Sequence, residues 1–242
     1  MNKLKIGIIV ADIDEYKPFK GFIEKGEYSL YSFLGREGHS FCVKTEKAEA
    51  EVIAVLCGIG KVNAAAAAMH LADIGCNIIL NYGLSGGISG VSRGDICLCN
   101  RFLEHDFDLT GIGYKLCEKP SQKYIYESDT VLAQIAHSII PNLKSGTAVS
   151  GDRFICDADV RDMLKKEFGA MSCDMETAAI AYVCDFAGIP FLALRRISDD
   201  AGADAKDSYR EMNTADETLL SDYLLELIKS ILNNGFKGNK YD

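Results

Sequence analysis

Short apolar runs alternate along this chain with longer segments whose apolar residues recur at helical spacing. The runs with the length and β-branched content of strands are residues 5–11, 51–57, 77–82, 95–99, 146–150 and 190–197. The helical segments are residues 62–74, 129–140, 158–168 and 175–187. Strands that alternate with helices predict an α/β fold, in which helices cover both faces of a central sheet.

Two kinds of segment depart from this alternation. Residues 28–34 and 40–44, separated by a glycine-containing turn at 35–38, predict an antiparallel hairpin, so we expect a mixed sheet. Residues 101–129 and 199–213 have no clear period. Irregular segments of this length within a folded domain are often functional.

The last helix has the clearest pattern in the chain. Its apolar face consists of Leu220, Tyr223, Leu224, Leu227, Ile228 and Ile231. Thr214 and Glu217 suit a capping box at its start, and Gly235 suits its end. We expect residues 236–242 beyond it to fray.

Size and charge narrow the class of protein. A chain of 242 residues can close one large core without metals or disulfides, so we expect a single domain over residues 1–242. Its net charge of −9 argues against nucleic acid or an anionic membrane surface as a partner. A small neutral substrate fits this charge better.

The cysteines and the N-terminus indicate a cytoplasmic protein. Nine cysteines are scattered without a C-x-x-C pair or a metal-ligand spacing, so we expect reduced, buried thiols and no metal. The first apolar run, residues 6–11, meets Asp12 too soon for a signal peptide. The chain also has no apolar run near the roughly 20 residues that a membrane-spanning helix needs.

A first glycine motif, C-G-I-G-K-V-N-A at 57–64, follows a predicted strand and opens a predicted helix. It partly matches the G-x-G-x-x-G/A dinucleotide fingerprint, but the next strand, 77–82, does not end in the Asp or Glu that holds a ribose hydroxyl. It also lacks the glycine spacing and the Ser or Thr of a P-loop. The motif therefore favours neither NAD nor a nucleotide phosphate, and we expect no cofactor.

A second glycine motif, G-L-S-G-G at 83–87, matches the G-x-S-x-G nucleophile elbow of esterases. That elbow requires a helix directly after the serine, whereas another predicted strand follows here. The only later histidines, His105 and His137, leave little chain for the rest of a triad. We expect instead a glycine loop whose amides and small side chains, those of Ser85 and Gly86 among them, line a pocket.

Acidic residues stand at the ends of several predicted strands. They occur in D-I-D-E at 12–15, in C-D-M-E at 173–176 and in I-S-D-D at 197–200. Each group alone is explained by a turn or a helix cap. In an α/β sheet, however, ligands bind at the carboxyl ends of strands. Glu15, Glu176 and Asp199 are therefore candidates for one shared site.

In order along the chain, these segments resemble the 5′-methylthioadenosine/S-adenosylhomocysteine nucleosidase family of the nucleoside phosphorylase superfamily. The resembling segments are K-I-G-I-I-x-A-x-x-x-E at 5–15, G-I-G-K-V at 58–62, H-D-x-D-x-T-x-x-G-Y at 105–114, S-G-D-x-F-I at 150–155, D-M-E-T-A-A-I-A at 174–181 and R-x-I-S-D at 195–199. The resemblance implies a three-layer sandwich with a mixed twisted sheet and hydrolysis of the N-glycosidic bond of an adenine nucleoside.

The resemblance also implies catalytic roles. Glu15 corresponds to the carboxylate that activates the attacking water, and Asp199 to the acid that protonates the leaving purine at N7. Glu176 corresponds to the residue that holds the ribose hydroxyls, with Met175 packed against the ribose. Ser198 would orient Asp199.

Binding roles follow in the same way. Phe154 resembles the aromatic residue that stacks on the base, and Ile155 the residue whose backbone reads the adenine edge. The family is homodimeric, and its segment corresponding to 101–114 completes the neighbouring subunit's site. Ile112 and Tyr114 would therefore line the partner's pocket for the 5′-substituent.

The chemistry fits this division of roles. A purine anion is a poor leaving group, so Asp199 must hold a proton part of the time. The ribosyl cation that develops needs nearby negative charge and a base that steers water, which Glu15 and Glu176 supply. Attack by a water held between base and sugar predicts inversion at the anomeric carbon.

Two departures from the family pattern affect specificity. Leu84 stands where the family often has the first serine of G-S-A-G-G, and Ile112 replaces a common aromatic residue. The 5′-substituent of the substrate therefore stays open between methylthio, homocysteinyl and hydroxyl.

Two other functions also remain open. Phosphorolysis would need a cationic phosphate site, for which Lys61, Arg93, Arg153 and Arg195 are available, although residues 7–20 lack the glycine- and arginine-containing segment of the phosphorylases. A nucleoside-binding protein without activity is the alternative from another class, and the three carboxylates argue against it.

Overall fold

The computed structural model describes residues 4–213, 218–236 and 238. Its strands are β1 (Leu4–Val10), β2 (Tyr28–Phe33), β3 (Arg36–Lys44), β4 (Glu49–Leu56), β5 (Ile78–Gly87), β6 (Ile96–Glu104), β7 (Tyr126–Glu127), β8 (Lys144–Ser150), β9 (Ala170–Asp174) and β10 (Phe191–Asp199). Its α-helices are α1 (Ile13–Ile23), α2 (Lys61–Asp73), α3 (Thr130–Ile139), α4 (Ala158–Phe168), α5 (Thr177–Ala187), α6 (Ala205–Asn213) and α7 (Leu219–Asn233).

All the strands belong to one mixed sheet. Its order is β10-β6-β8-β9-β5-β1-β4-β3-β2, with β7 paired to β6. Strand β1 runs parallel to both β4 and β5, whereas β2, β3 and β4 are antiparallel neighbours. Because β10 also pairs with β5, the strands β5, β10, β6, β8 and β9 close into a ring. The carboxyl ends of β1, β5 and β10 meet at one edge of this sheet.

Two apolar clusters on opposite faces of the sheet make the fold three-layered. One face packs against α1, α3 and α7 through residues such as Phe19, Leu132 and Ile228. The other packs against α2 and α5 through residues such as Leu71 and Ile180. The sheet is thus covered on both sides, which confirms the predicted fold class.

The predicted strands and helices are present, with shifted ends. The hairpin forms from β2 and β3, although β3 already begins at Arg36, within the predicted turn. Strand β6 continues to Glu104, so the irregular segment after it is shorter than expected. Helix α5 begins at Thr177 rather than at Met175, because Met175 and Glu176 form the turn between β9 and the helix.

Several expectations were wrong. The glycine segment at 83–87 is the end of strand β5 and not a loop, since it pairs with β10 and β9. The short strand β9 was not predicted. The segment 199–213, expected to be irregular, contains α6. Two of the nine free cysteines, Cys42 and Cys156, are exposed rather than buried.

The C-terminal helix α7 begins at Leu219, and its predicted apolar residues Leu220, Leu224, Leu227, Ile228 and Ile231 are buried. Gly235 follows the helix with a positive φ of 68°, a conformation that favours glycine. The predicted capping residues Thr214 and Glu217, and most of 236–242, lie outside the described residues. Within the described ranges, no helix has the length and apolar character needed to cross a membrane.

Candidate active site

A cavity of about 330 Å³ opens at the carboxyl ends of β1, β5, β9 and β10. This size lies within the usual range of small-molecule sites. It is lined by Ala11, Asp12, Glu15, Ile59, Leu84, Ser85, Gly86, Phe154, Cys173, Asp174, Met175, Glu176, Ser198, Asp199 and Tyr209. Glu15, Glu176 and Asp199, which are far apart in the chain, therefore share one cavity.

Glu15 lies in the first turn of α1, directly after β1. Asp12 caps this helix by accepting a hydrogen bond from the Asp14 amide at 2.7 Å, which places Glu15 over the end of the sheet. Glu15 Oε1 accepts a hydrogen bond from the Leu84 amide at 2.7 Å. Burial raises the pKa of Glu15 to about 8, although the Arg195 guanidinium opposes this. Glu15 can therefore exchange a proton near neutral pH.

Glu176 is the residue that precedes α5, and it is 6% exposed. Its Oε1 accepts a hydrogen bond from the Gly60 amide at 2.9 Å, and its Oε2 lies 3.9 Å from an Arg195 nitrogen. Burial raises the pKa of Glu176 to about 7 against the attraction of Arg195. The Glu176 side chain thus links the start of α5 to the loop after β4 through this hydrogen bond.

Asp199 ends β10 and is 3% exposed. Its Oδ2 accepts a hydrogen bond from Ser198 Oγ at 2.6 Å, and its Oδ1 accepts one from the Ala201 amide at 2.8 Å. Ser198 Oγ also lies 3.3 Å from the Ser85 carbonyl oxygen. Burial raises the pKa of Asp199 despite these hydrogen bonds, so its carboxyl group takes up a proton more readily than that of an exposed aspartate.

Arg195 lies beneath the carboxylates and is 1% exposed. Its Nε lies 3.2 Å from Asp174 Oδ2 and donates to Thr177 Oγ1 at 3.1 Å, while another nitrogen donates to Asn81 Oδ1 at 2.7 Å. A side chain at Gly83 would press on the ends of the Arg195 and Glu15 side chains and displace them, so glycine here preserves their positions. The sequence gives Arg195 no structural role; it offers the residue as part of the segment at 195–199 and as one of four cations for a phosphate site.

Asp174 fixes the start of α5. Its Oδ1 accepts hydrogen bonds from the Thr177 amide at 3.0 Å and from Ser150 Oγ at 2.5 Å. Burial works against ionisation of Asp174, but Arg195 and these hydrogen bonds outweigh it and keep the pKa below its ordinary value. Asp174 is therefore the permanently charged partner of Arg195, and this explains how the buried cation is held.

Aromatic side chains lie at the outer end of the cavity. Phe154 is 40% exposed, and its ring lies 5.5 Å from that of Tyr209 at an interplanar angle of 65°. Ile155 is buried and lines a small adjoining pocket with Arg153. Ser85 Oγ is buried and has no hydrogen-bond partner among the described residues. The predicted purine-binding residues thus occupy one connected region.

Besides Ile155, two predicted residues do not line this cavity. Ile112 and Tyr114 follow β6 in the segment after His105, and they are 72% and 38% exposed. Both side chains are at the surface, and neither lines the cavity of its own chain. Their expected role at another subunit's 5′-substituent pocket stays a prediction.

The sequence did not single out several lining residues. Ile59 lies within the glycine motif at 57–64, but the motif gives its side chain no role. Tyr209 stands in a segment whose local pattern carries no chemical signature, and the pattern around Cys173 indicates only a helix start. Asp12 was noted as part of an acidic group without a separate role. The one sequence signal for Tyr209 is its position after the last strand, in the long segment 199–213 that has no clear period.

The cations that could bind phosphate are mostly engaged with carboxylates. Lys61 Nζ lies 2.5 Å from Asp106 Oδ1, and an Arg93 nitrogen lies 2.8 Å from a Glu211 oxygen. Arg195 is enclosed as described above. Arg153 borders the small pocket beside Ile155. The described residues also contain no group of three or more His, Cys, Asp or Glu side chains placed to hold a metal ion.

The arrangement can carry out acid-assisted cleavage of a sugar–base bond. It offers a carboxyl group with a raised pKa at one end and two further carboxylates around the middle of the cavity. A buried acid can donate a proton to a leaving group, and carboxylates can stabilise a cationic sugar and orient water.

Comparison with known proteins finds relatives that match most of the chain. A family model described as the Phosphorylase superfamily matches residues 5–233. A 5′-methylthioadenosine/S-adenosylhomocysteine nucleosidase of Staphylococcus carnosus is 35% identical over 188 residues, which cover 75% of this chain and 82% of that protein.

Solved structures show the same similarity. The chain superposes with a TM-score of 0.88 and 26% identity on the Helicobacter pylori 5′-methylthioadenosine/S-adenosylhomocysteine nucleosidase, covering 95% of this chain and 99% of that one. Futalosine hydrolase of the same organism gives a TM-score of 0.84 with 25% identity, covering 96% and 98% of the two chains. The structural similarity thus extends over nearly the full length of both solved structures.

Proposed function

Since the chain belongs to the 5′-methylthioadenosine/S-adenosylhomocysteine nucleosidase family of the phosphorylase superfamily, we propose that it hydrolyses the N-glycosidic bond of an adenine nucleoside and releases adenine. Its substrate is 5′-methylthioadenosine, S-adenosylhomocysteine or a related 5′-substituted adenosine. The observation that carries this proposal is the meeting of Glu15, Glu176 and Asp199 around one cavity.

Asp199 acts as the general acid that protonates purine N7 as the bond to the sugar breaks. Its burial at the end of β10 raises its pKa, and a carboxyl group that takes up a proton more readily than an exposed aspartate supports this role. Ser198 keeps the carboxyl group oriented through the 2.6 Å hydrogen bond. Proton transfer turns a poor leaving group into neutral adenine.

Glu15 acts as the base that takes a proton from the attacking water, and Glu176 binds the ribose hydroxyls. The Leu84 amide holds one oxygen of Glu15, which leaves the other oxygen for the water. Negative charge on both carboxylates stabilises the ribosyl cation in the transition state. Attack by water from the side opposite the base inverts the anomeric carbon.

The remaining lining residues bind the substrate. Phe154 stacks on the base and the Ile155 backbone reads its edge, while Met175 packs against the ribose. Ser85 and Gly86 contact the purine, and the hydroxyl of Ser85 is available because no described residue bonds to it. No cofactor takes part in this reaction.

The nucleophile is water rather than phosphate. The engagement of Lys61, Arg93 and Arg195 with carboxylates supports this choice, because a phosphate dianion needs cations or amides that are not already paired. Five acidic side chains line the cavity, and those that are ionised would also repel a dianion.

The enzyme is a homodimer in this proposal, and Ile112 and Tyr114 complete the 5′-substituent pocket of the partner. Exposed apolar side chains on the adjacent helices α2 and α5 support such an interface, among them Val62 at 81% and Phe186 at 82% exposure. The presence of nine free cysteines supports a cytoplasmic location.

An adenine-release assay tests the function. Purified protein is incubated with 5′-methylthioadenosine, S-adenosylhomocysteine, adenosine, futalosine, inosine and uridine, each with and without phosphate. We expect release of adenine from the 5′-substituted adenosines at a rate that does not depend on phosphate. Strict dependence on phosphate would assign the chain to the phosphorylases, and no release from any nucleoside would indicate a binding protein.

A further inference from the structure

Three motif residues without a role in the chemistry converge beside the active site. Lys61 is the first residue of α2, Asp106 follows the end of β6 and Asp152 lies in the loop after β8, and we call these three residues the Lys61 cluster. Lys61 Nζ lies 2.5 Å from Asp106 Oδ1, and Asp106 Oδ2 accepts a hydrogen bond from the Asp152 amide at 2.9 Å. Asp152 Oδ1 accepts one from the Lys61 amide at 2.8 Å. The three residues thus form a closed ring of contacts.

This ring fixes the backbone next to Glu176. The residue before Lys61 is Gly60, whose amide donates the 2.9 Å hydrogen bond to Glu176 Oε1. Gly60 has a φ of 100°, and a side chain there would press against Asp152 Oδ1 at 3.0 Å. Only glycine suits this conformation. The direction of the Gly60 N–H therefore depends on how Lys61 and Asp152 hold the loop.

The cluster is better shielded than an ordinary surface ion pair. The Lys61 and Asp106 side chains are 18% and 29% exposed. The Glu104 carboxylate lies 3.7 Å from the same ammonium group. The loops also touch closely, because the His105 amide donates to the Ser150 carbonyl at 2.9 Å and the Gly151 amide donates to the Asp174 carbonyl at 3.1 Å. Exposed ion pairs contribute little stability, but a network that joins the start of α2 to the segments after β6 and β8 can fix their geometry.

We propose that Lys61 and Asp106 are positioning residues, which hold the Gly60 amide against Glu176 and thereby orient the carboxylate that binds the ribose hydroxyls. Neither side chain lines the cavity, so both act through Glu176. The inference rests on the proposed function, since it concerns how the nucleoside's sugar is held.

The test compares a ribonucleoside with its 2′,3′-dideoxy counterpart, both carrying the 5′-methylthio group. We expect Lys61→Met and Asp106→Asn to lower kcat/KM about 10- to 100-fold for the ribonucleoside, because small displacements of a binding group have effects of this size. For the dideoxy compound, which lacks the hydroxyls that Glu176 binds, we expect a loss of less than about twofold. Lys61→Arg, which keeps the cation, recovers most of the activity.

Lys144→Met is the matched control, since it removes a lysine that lies 2.7 Å from Asp95 in an ion pair whose two residues do not line the cavity. It leaves both substrates unaffected. Equal losses for the two substrates, or no loss for either, would overturn the proposal. If Lys61→Met does not fold, as judged by its thermal melt, the nearly isosteric Asp106→Asn decides. Failure of the proposed function would show separately, as absence of adenine release by the wild-type enzyme.

Discussion

The inner and outer halves of the cavity are built differently. In the inner half, Glu176, Arg195 and Asp199 are 6%, 1% and 3% exposed and are held by hydrogen bonds and ion pairs from the same chain. In the outer half, Ile59 and Phe154 are 50% and 40% exposed. The inner half is thus fixed by contacts within the chain, whereas the outer half is open, and the proposed partner segment would cover it.

The largest effect should come from Asp199, which lies in the inner half. We expect Asp199→Asn to lower kcat about 10²- to 10⁴-fold, because the amide cannot supply the proton that the leaving purine needs. Steady-state adenine release measures the loss, and circular dichroism checks that the fold is intact. Asp200→Asn, one residue further along, is the control and should retain nearly full activity. A fully active Asp199→Asn enzyme would remove Asp199 from the mechanism.

Arg195 should be the main source of stability in the inner half. Its removal in Arg195→Met leaves Asp174, Glu15 and Glu176 buried without their cation. We expect a loss of about 3–5 kcal/mol in the free energy of unfolding, measured by denaturant titration. Arg195→Lys keeps the charge and should lose less. Equal stability of Arg195→Met and wild type would contradict the network described here.

The pH dependence of kcat/KM should reflect the ionisation of the two buried glutamates. Their pKa values of about 8 for Glu15 and about 7 for Glu176 mean that both become protonated as the pH falls below these values, so kcat/KM should rise with pH through this range. The Glu176 charge is one cause that raises the pKa of Glu15. Glu176→Gln should therefore move this rise to lower pH. A rise that stays in place or moves to higher pH would show that the two groups are not coupled.

Substitution of Tyr114, which is proposed to complete the outer half of the partner's cavity, should affect nucleosides with a 5′-alkylthio group more than adenosine. We expect Tyr114→Ala to raise KM for 5′-methylthioadenosine about tenfold, because the methylthio group loses an apolar contact in its binding pocket. KM for adenosine, which has no alkylthio group, should change by less than about twofold. Leu30→Ala, at a position 77% exposed on β2, is the control. Equal changes for both nucleosides would argue against a role of Tyr114 at the 5′ end.

Ser85 should give the smallest effect. Loss of one hydrogen bond to the base in Ser85→Ala should lower kcat/KM about two- to tenfold. Adenine release and esterase activity are measured on the same preparation. Abolished activity would instead favour a nucleophilic serine, and an unchanged kcat/KM would remove the proposed contact.

The sequence predicted those parts of the fold that have a strong periodic pattern. Strands such as β1 and helices such as α7 combine apolar spacing with clear ends. The pattern missed β9, which has five residues and lies between two helices, and α6, whose sequence is mostly polar. It also placed the end of β5 in a loop, because glycines have low strand propensity and pairing with β10 and β9 decides their conformation.

The same limit applies to the site. The acidic residues at strand ends could be found, since a strand's carboxyl end is a known position for ligands. Arg195 could not be assigned to them, because its contacts with Asn81 and Asp174 depend on which strands become neighbours. The Lys61 cluster likewise joins residues 45 and 91 positions apart. Local patterns carry no information on such distant contacts.

The source of the oxygen on the released sugar tests the central claim most directly. Adenine release is run in ¹⁸O-labelled water without phosphate, and the sugar product is analysed by mass spectrometry and by NMR at the anomeric carbon before it equilibrates. We predict one labelled oxygen at C1 with inverted configuration. Product that forms only when phosphate is added, as the sugar 1-phosphate, would contradict the assignment of Glu15, Glu176 and Asp199 to hydrolysis.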